Sequence, residues 1–262
     1  MKTTKLMAVP LALLLVACDD DDNHFPDPVV GSSKVASADV HMDVYAESDS
    51  DGTELTVYFH RHHSSGFGQY LQLTGSDELT VVSGAETSLI EEDLSTSHGD
   101  VLMAHYHASV AENQAAATVD VSFVRDGQTL IPATATLLEE SVFNVTADSD
   151  PVTHQSTLQA EWTAIEGYDY QLKFAFSCMS GGESVGFTRT YPNASTDLIS
   201  PFSLDIAQFS PPPTGATDCE VTVTLRSRVD QSEAQTADDE VLQVLSIREQ
   251  EQVLIISNEI PQ

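Results

Sequence analysis

Seven of the nine histidines in this 262-residue chain, His41, His60, His62, His63, His98, His105 and His107, fall within residues 33–140. Four of them form two His-x-His pairs, His60-Arg61-His62 and His105-Tyr106-His107. On an extended strand, residues two apart project from one face, roughly 6.5–7 Å apart along it. A neutral imidazole nitrogen is a ligand for zinc or copper, and two such pairs on neighbouring strands would bring four donors together. His60 and His62 run opposite in phase to the apolar Leu55, Val57 and Phe59, and His105 and His107 run opposite to Leu102, Ala104, Tyr106 and Ala108. Both pairs are therefore expected to face away from a core. His63 is out of phase with His62 and would be dispensable unless a bulge turned it. The competing reading is that these histidines simply occupy polar, solvent-facing strand positions, because no acid or cysteine accompanies them at a fixed spacing.

Two other motifs carry less. Gly182-Glu-Ser184-Val-Gly186 satisfies the expression for a hydrolase nucleophile elbow, which needs a strand, a sharp turn and then a helix. The residues that follow, Phe187 to Pro192, are β-branched and stopped by proline, and no histidine occurs after His154 to complete the order serine, acid, histidine. Glu47-Ser-Asp49-Ser-Asp51-Gly52 has the look of the first half of a calcium loop, but its twelfth position is Tyr58 where a bidentate carboxylate is needed. An Asp-Gly hairpin turn explains it better. With no acid/base constellation in a workable context, the chain is expected not to be an enzyme.

The elements that must position these residues are short strands. From Ser33 to Glu140 apolar and polar residues alternate with period two between turn signals: 40–44, 55–60, 70–74, 78–82, 101–110, 117–124 and 130–138. Ser88-Leu-Ile-Glu91 could open a helix as a capping box, although the run after it is short. Residues 139–150 read as a junction, and a second β-rich stretch follows over 156–163, 168–178, 185–191, 202–209, 219–229 and 240–257. The expectation is an all-β chain with two tandem immunoglobulin-like antiparallel β-sandwich modules, 33–140 and 141–262.

Ten Lys and Arg stand against 41 Asp and Glu, a formal charge of −31. That balance repels nucleic-acid phosphates and anionic lipid, so nucleic acid is excluded as a partner. Met1 to Val16 supplies Lys2, Lys5 and an apolar run from Leu6, long enough for a secretory signal and too short to span a bilayer. It ends in Leu15-Val16-Ala17-Cys18, which resembles the lipobox of bacterial lipoproteins. The resemblance implies cleavage after residue 17, acylation of Cys18 and a membrane anchor on the periplasmic side of the cell envelope. Residues 18–32, with four consecutive aspartates and two prolines, then read as an acidic tether. Asp19 resembles the signal that retains lipoproteins of enteric bacteria in the inner membrane; an ordinary acidic spacer is the alternative, and the outer membrane stays open.

In the second module, Thr157-Leu-Gln-Ala-Glu-Trp162 and Tyr168-Asp-Tyr-Gln-Leu-Lys-Phe-Ala-Phe176 resemble the second and third strands of fibronectin type III modules, with their core Trp and Tyr. With Cys18 given to the anchor, Cys178 and Cys219 remain, and in an oxidising compartment an even pair reads as a disulfide. On the resemblance, Cys178 ends one strand and Cys219 begins its antiparallel neighbour. Each shares the phase of apolar residues, Phe174 and Phe176 in one case, Val221 and Val223 in the other. The function these readings favour is a lipid-anchored envelope protein with a structural or protein-binding role toward an unidentified envelope protein, needing no cofactor. The alternative is a zinc- or copper-binding envelope lipoprotein that uses His60, His62, His105 and His107.

Overall fold

The computed structural model describes residues 29–62, 68–84, 86–97, 100–192, 198–209, 216–232 and 242–257. The lipobox, Cys18, Asp19, His63 and His98 lie outside the described residues, as does the side chain of His62. The described residues form strands joined by turns and three 3-10 turns; no helix among them is long and apolar enough to cross a membrane.

In chain order the strands are β1 (Val29–Gly31), β2 (His41–Ser48), β3 (Thr53–His62), β4 (Gly68–Gln72), β5 (Asp77–Ser83), β6 (Glu86–Thr87), β7 (Glu91–Ser97), β8 (Asp100–Val110) and β9 (Thr118–Arg125). They continue as β10 (Gln128–Thr136), β11 (Phe143–Ala147), β12 (Thr157–Trp162), β13 (Asp169–Ser180), β14 (Glu183–Tyr191), β15 (Phe202–Asp205), β16 (Thr217–Asp230) and β17 (Leu242–Ile256). The alternation expected from the sequence is realised: β2 buries every second residue, Met42, Val44, Ala46 and Ser48, because a pleated strand turns successive side chains to opposite faces.

One ten-stranded sheet runs β1-β4-β3-β2-β17-β16-β13-β14, with β8 paired to β3 and β7 to β8. Its inner face is covered at one end by the sheet β10-β9-β5-β6 and at the other by the sheet β11-β12-β15. The first core joins Val44, Val57 and Phe59 to Val121, Phe123 and Ala133, with the Phe59 and Phe123 rings 5.2 Å apart. The second joins Phe174, Val221 and Val223 to Leu158, Leu204 and Phe202. Burying each large side chain contributes roughly 1.5–3 kcal/mol, so these two clusters are what folding gains most from. The all-β, face-to-face packed architecture is as the sequence leads one to expect.

β17 belongs to both cores. It pairs antiparallel with β16 from Cys219↔Ile256 to Asp230↔Leu245, and its first half pairs parallel with β2 from Leu242↔Met42 to Arg248↔Ser48. Leu242 and Val244 sit in the first core and Ile256 in the second. At the other end of the described chain, β1 runs parallel to β4, so the last residues of the expected tether lie against the body.

Three local readings find their outcome here. Residues 143–147, read as junction, form β11 against β12. Glu91, read as part of a capping box, starts β7 instead, because Glu92 and Leu94 face Tyr106 and Ala104 across the ladder with β8. Cys178 and Cys219 form a disulfide, and both are buried in the second core. The ladder shifts there, from Ser177↔Glu220 to Met179↔Thr217. Asp218, with φ 49°, is the extra residue of a bulge.

Candidate functional site

The outer face of the large sheet is where the chemistry collects. β3 divides its pairing: Thr53–Tyr58 lies against β8, and His60–His62 lies against β4. The division decides where the histidines go. Tyr58 is directly opposite His105 and Thr56 opposite His107, so the second His-x-His pair stands beside the middle of β3, not beside His60. On its other side β8 pairs with β7, which sets Asp93 opposite His105 and Glu91 opposite His107.

Asp93, His105 and His107 converge. One ligand atom from each lies within 4.8 Å of the others. His105 Nε2 is 3.5 Å from Asp93 Oδ2, the His105 side chain is 9% exposed and that of Asp93 63%. The His105 ring is stacked on Tyr58 at 5.5 Å and meets His107 edge-on at 4.6 Å. Thr56 Oγ1 is 3.3 Å from His107 Nδ1. Buried Nδ1 of His105 has no hydrogen-bond partner among the described residues.

His60 has different company. Its ring stacks on His41 at 5.3 Å, and its Nδ1 lies 3.5 Å from Asp43 Oδ2. Of the four histidines singled out in the sequence, the structure thus brings together His105 and His107 and sets His60 with His41 and Asp43. His62 ends β3, at the rung opposite Gly68. Asp93 was missed because its strand was not recognised. The signal available was the alternation of Glu91, Asp93 and Ser95 with Glu92 and Leu94 just before the His-x-His strand.

Next to this group a cleft of about 600 Å³ opens on the same face, lined by Tyr45, Tyr58, Tyr70, Asp43, Glu47 and Arg226 among others. Tyr45 and Tyr58 meet edge-on at 5.7 Å, and Tyr58 and Tyr70 lie 6.1 Å apart. Burial raises the phenols of Tyr45 and Tyr58 above their ordinary range, so both stay neutral donors. At one end of the cleft Arg226 holds two carboxylates, Glu47 at 3.2 Å and Glu249 at 3.3 Å. Burial, then the hydrogen bond and charge of Glu47, push the Glu249 carboxyl up to about 7. When Glu249 holds its proton it can hydrogen-bond to Glu47, and when it releases it negative charge is set against that neighbour. The arrangement offers flat aromatic surface, hydrogen-bond donors and localised negative charge, which suits recognition.

The two motifs set aside on sequence grounds are placed as turn and strand. Asp49 Oδ1 accepts from the backbone N–H of Asp51 and Gly52 in the β2–β3 turn. Ser184 is on β14, paired with Met179 just after the Gly181–Gly182 turn, with no helix following it. Compared with known proteins, the chain matches no family model and no curated relative.

Proposed function

We propose that this chain is a lipid-anchored protein of the cell envelope that faces the periplasm and binds a partner protein through the outer face of its large sheet. It binds and does not catalyse. The observation that carries the reading is the tyrosine-lined cleft: three aromatic rings beside Asp43, Glu47 and Arg226 on a face that no other strand of the described residues covers. Tyrosines give large contact area with a polar tip and dominate many protein interfaces. The surrounding charge of −31 selects a segment rich in Lys or Arg.

The anchor rests on Leu15-Val16-Ala17-Cys18, and Asp19 favours retention at the inner membrane. The body is read as two tandem immunoglobulin-like modules, the second of fibronectin type III kind. Support comes from its strand order, β11-β12-β15 facing β14-β13-β16-β17, with Trp162 buried on its second strand. Two measurements test the reading. Cys18→Ser should lose its acyl mass and leave the membrane fraction, since two or three acyl chains anchor essentially permanently; a mature terminus other than Cys18 defeats the anchor. Recovery of one envelope protein by the wild type, with at least tenfold less by Tyr45→Ala/Tyr58→Ala, supports the cleft; equal recovery by both defeats it.

A further inference from the structure

We propose that Asp93, His105 and His107 form a zinc site, open on one side, built where β7, β8 and β3 lie side by side. This goes beyond the partner-binding role and does not depend on it. Three features of the group point to a cation and not to a chance cluster. First, the donor set is two imidazoles and one carboxylate, the set that zinc and other divalent transition metals take when a coordination position is left for water or a further ligand. Second, the spacing suits an ion. Ligand atoms on one tetrahedral zinc stand roughly 3.3 Å apart for bonds of about 2.0–2.1 Å. His105 Nε2 and Asp93 Oδ2 already stand at 3.5 Å, and one ligand atom from each of the three residues lies within 4.8 Å of the others. Asp93 is the exposed member and is free to rotate inward, whereas His105 is held by Tyr58 beneath it and His107 beside it.

Third, the site is supported behind its ligands. Thr56 Oγ1 lies within reach of His107 Nδ1; in the tautomer with the hydrogen on Nδ1 it accepts that hydrogen bond, which leaves Nε2 of the ring free to bind an ion. His105, by contrast, is buried with Nδ1 unpartnered among the described residues and with only a long contact from Nε2 to Asp93. A coordinate bond at Nε2 would replace that long contact with a full one. Glu91, opposite His107 on the same face of β7, lies outside the group yet adds negative charge that favours a cation. His60 is not needed: its partners are His41 and Asp43.

The test uses the full-length protein purified in detergent and freed of metal with a chelator. Zn²⁺ is titrated by calorimetry in the presence of excess Mg²⁺, which occupies the carboxylates of an acidic surface without competing for imidazole. Wild type should take up one tight equivalent, Co²⁺ should give a visible d–d band that Zn²⁺ abolishes, and Zn²⁺ should raise the melting temperature. His105→Ala and His107→Ala should lose the tight equivalent, and Asp93→Asn should weaken it at least tenfold. Thr56→Val should weaken it about 10- to 100-fold, as loss of a ligand-orienting partner does. His41→Ala should bind as wild type does. If His105→Ala fails to fold, the more exposed His107 and Asp93 decide the matter alone. Uptake without a tight equivalent, or uptake that His107→Ala and Asp93→Asn leave unchanged, overturns the site. A tight equivalent lost equally in His41→Ala moves the site to the other histidines and overturns it also.

Discussion

The two ends of the large sheet solve one problem in different ways. At the β13–β14 end the core is closed by neighbours in sequence and cross-linked by Cys178–Cys219, a loop of 41 residues. At the β3–β4 end there is no cysteine among the described residues, and distant segments are tied together by a buried ion pair. Arg125 forks onto both oxygens of Asp77, at 2.7 and 2.6 Å, and donates to the carbonyls of Val35 and Ser32. That one guanidinium clasps the segment between β1 and β2 to the end of the covering sheet. The comparison teaches that a covalent link and a charged clasp can hold equivalent places, but only the second depends on pH and on a partner staying ionised.

Removing the clasp is the most damaging way to break the comparison. Arg125→Ala leaves the Asp77 carboxylate buried and unpaired, and should cost about 3–5 kcal/mol in denaturant unfolding. The hydrogen bond from Arg125 holds the Asp77 carboxyl below its ordinary value against the opposing effect of burial. A depressed folded pKa gives stability that is present above the unfolded value, near 3.9, and is lost as pH falls through the folded one. The gap between wild type and Arg125→Ala should therefore be full at pH 7 and shrink in strong acid. A gap independent of pH would mean that packing, not charge, is what the arginine supplies.

Cys178→Ala/Cys219→Ala should cost roughly 2–4 kcal/mol, through a less constrained unfolded chain. Hydrogen exchange then locates the damage: amides of β12, β13 and β16 should exchange faster, while β5 and β9 change less. Equal loosening at both ends would show that β17 makes the two cores one cooperative unit. Val244→Ala probes the same joint from the other side and should cost about 2 kcal/mol. The loss should be felt in β2 and β3, although Val244 lies some 200 residues later in sequence. The smallest effect is expected at Glu249, whose raised pKa means that the folded state holds a proton the unfolded chain has released between about pH 4.5 and 7. Stability from this group therefore falls as pH rises, and after screening at a partly exposed site Glu249→Gln should stabilise by about 1 kcal/mol at pH 8 and by almost nothing at pH 4.

Most strands could be read from alternation, because each buries one face and the period of a strand is two. The cysteine pair could be read for the same reason, since both residues share the phase of core side chains. What escaped was pairing. No local pattern tells that β17 will lie parallel to β2, some 200 residues earlier, because register between distant strands is set by the whole assembly. The site suffered likewise: His105 and His107 announced themselves by spacing, but Asp93 joins them only through a ladder with β7. That His60 turns instead to His41 follows from the point at which β3 exchanges β8 for β4 as its neighbour.

The position of β17 also orders events in time. In a chain that emerges N-terminus first, whether from the ribosome or across a membrane, the first core's residues appear long before Leu242 and Val244, so one edge of β2 stays unpaired until β17 follows. Contacts of such span close slowly, because the intervening chain must be gathered first. Until the last strand arrives, the histidine-bearing end is a template open to any extended segment nearby. Its completion marks, in one step, that the chain has emerged past β16 and that both cores can close.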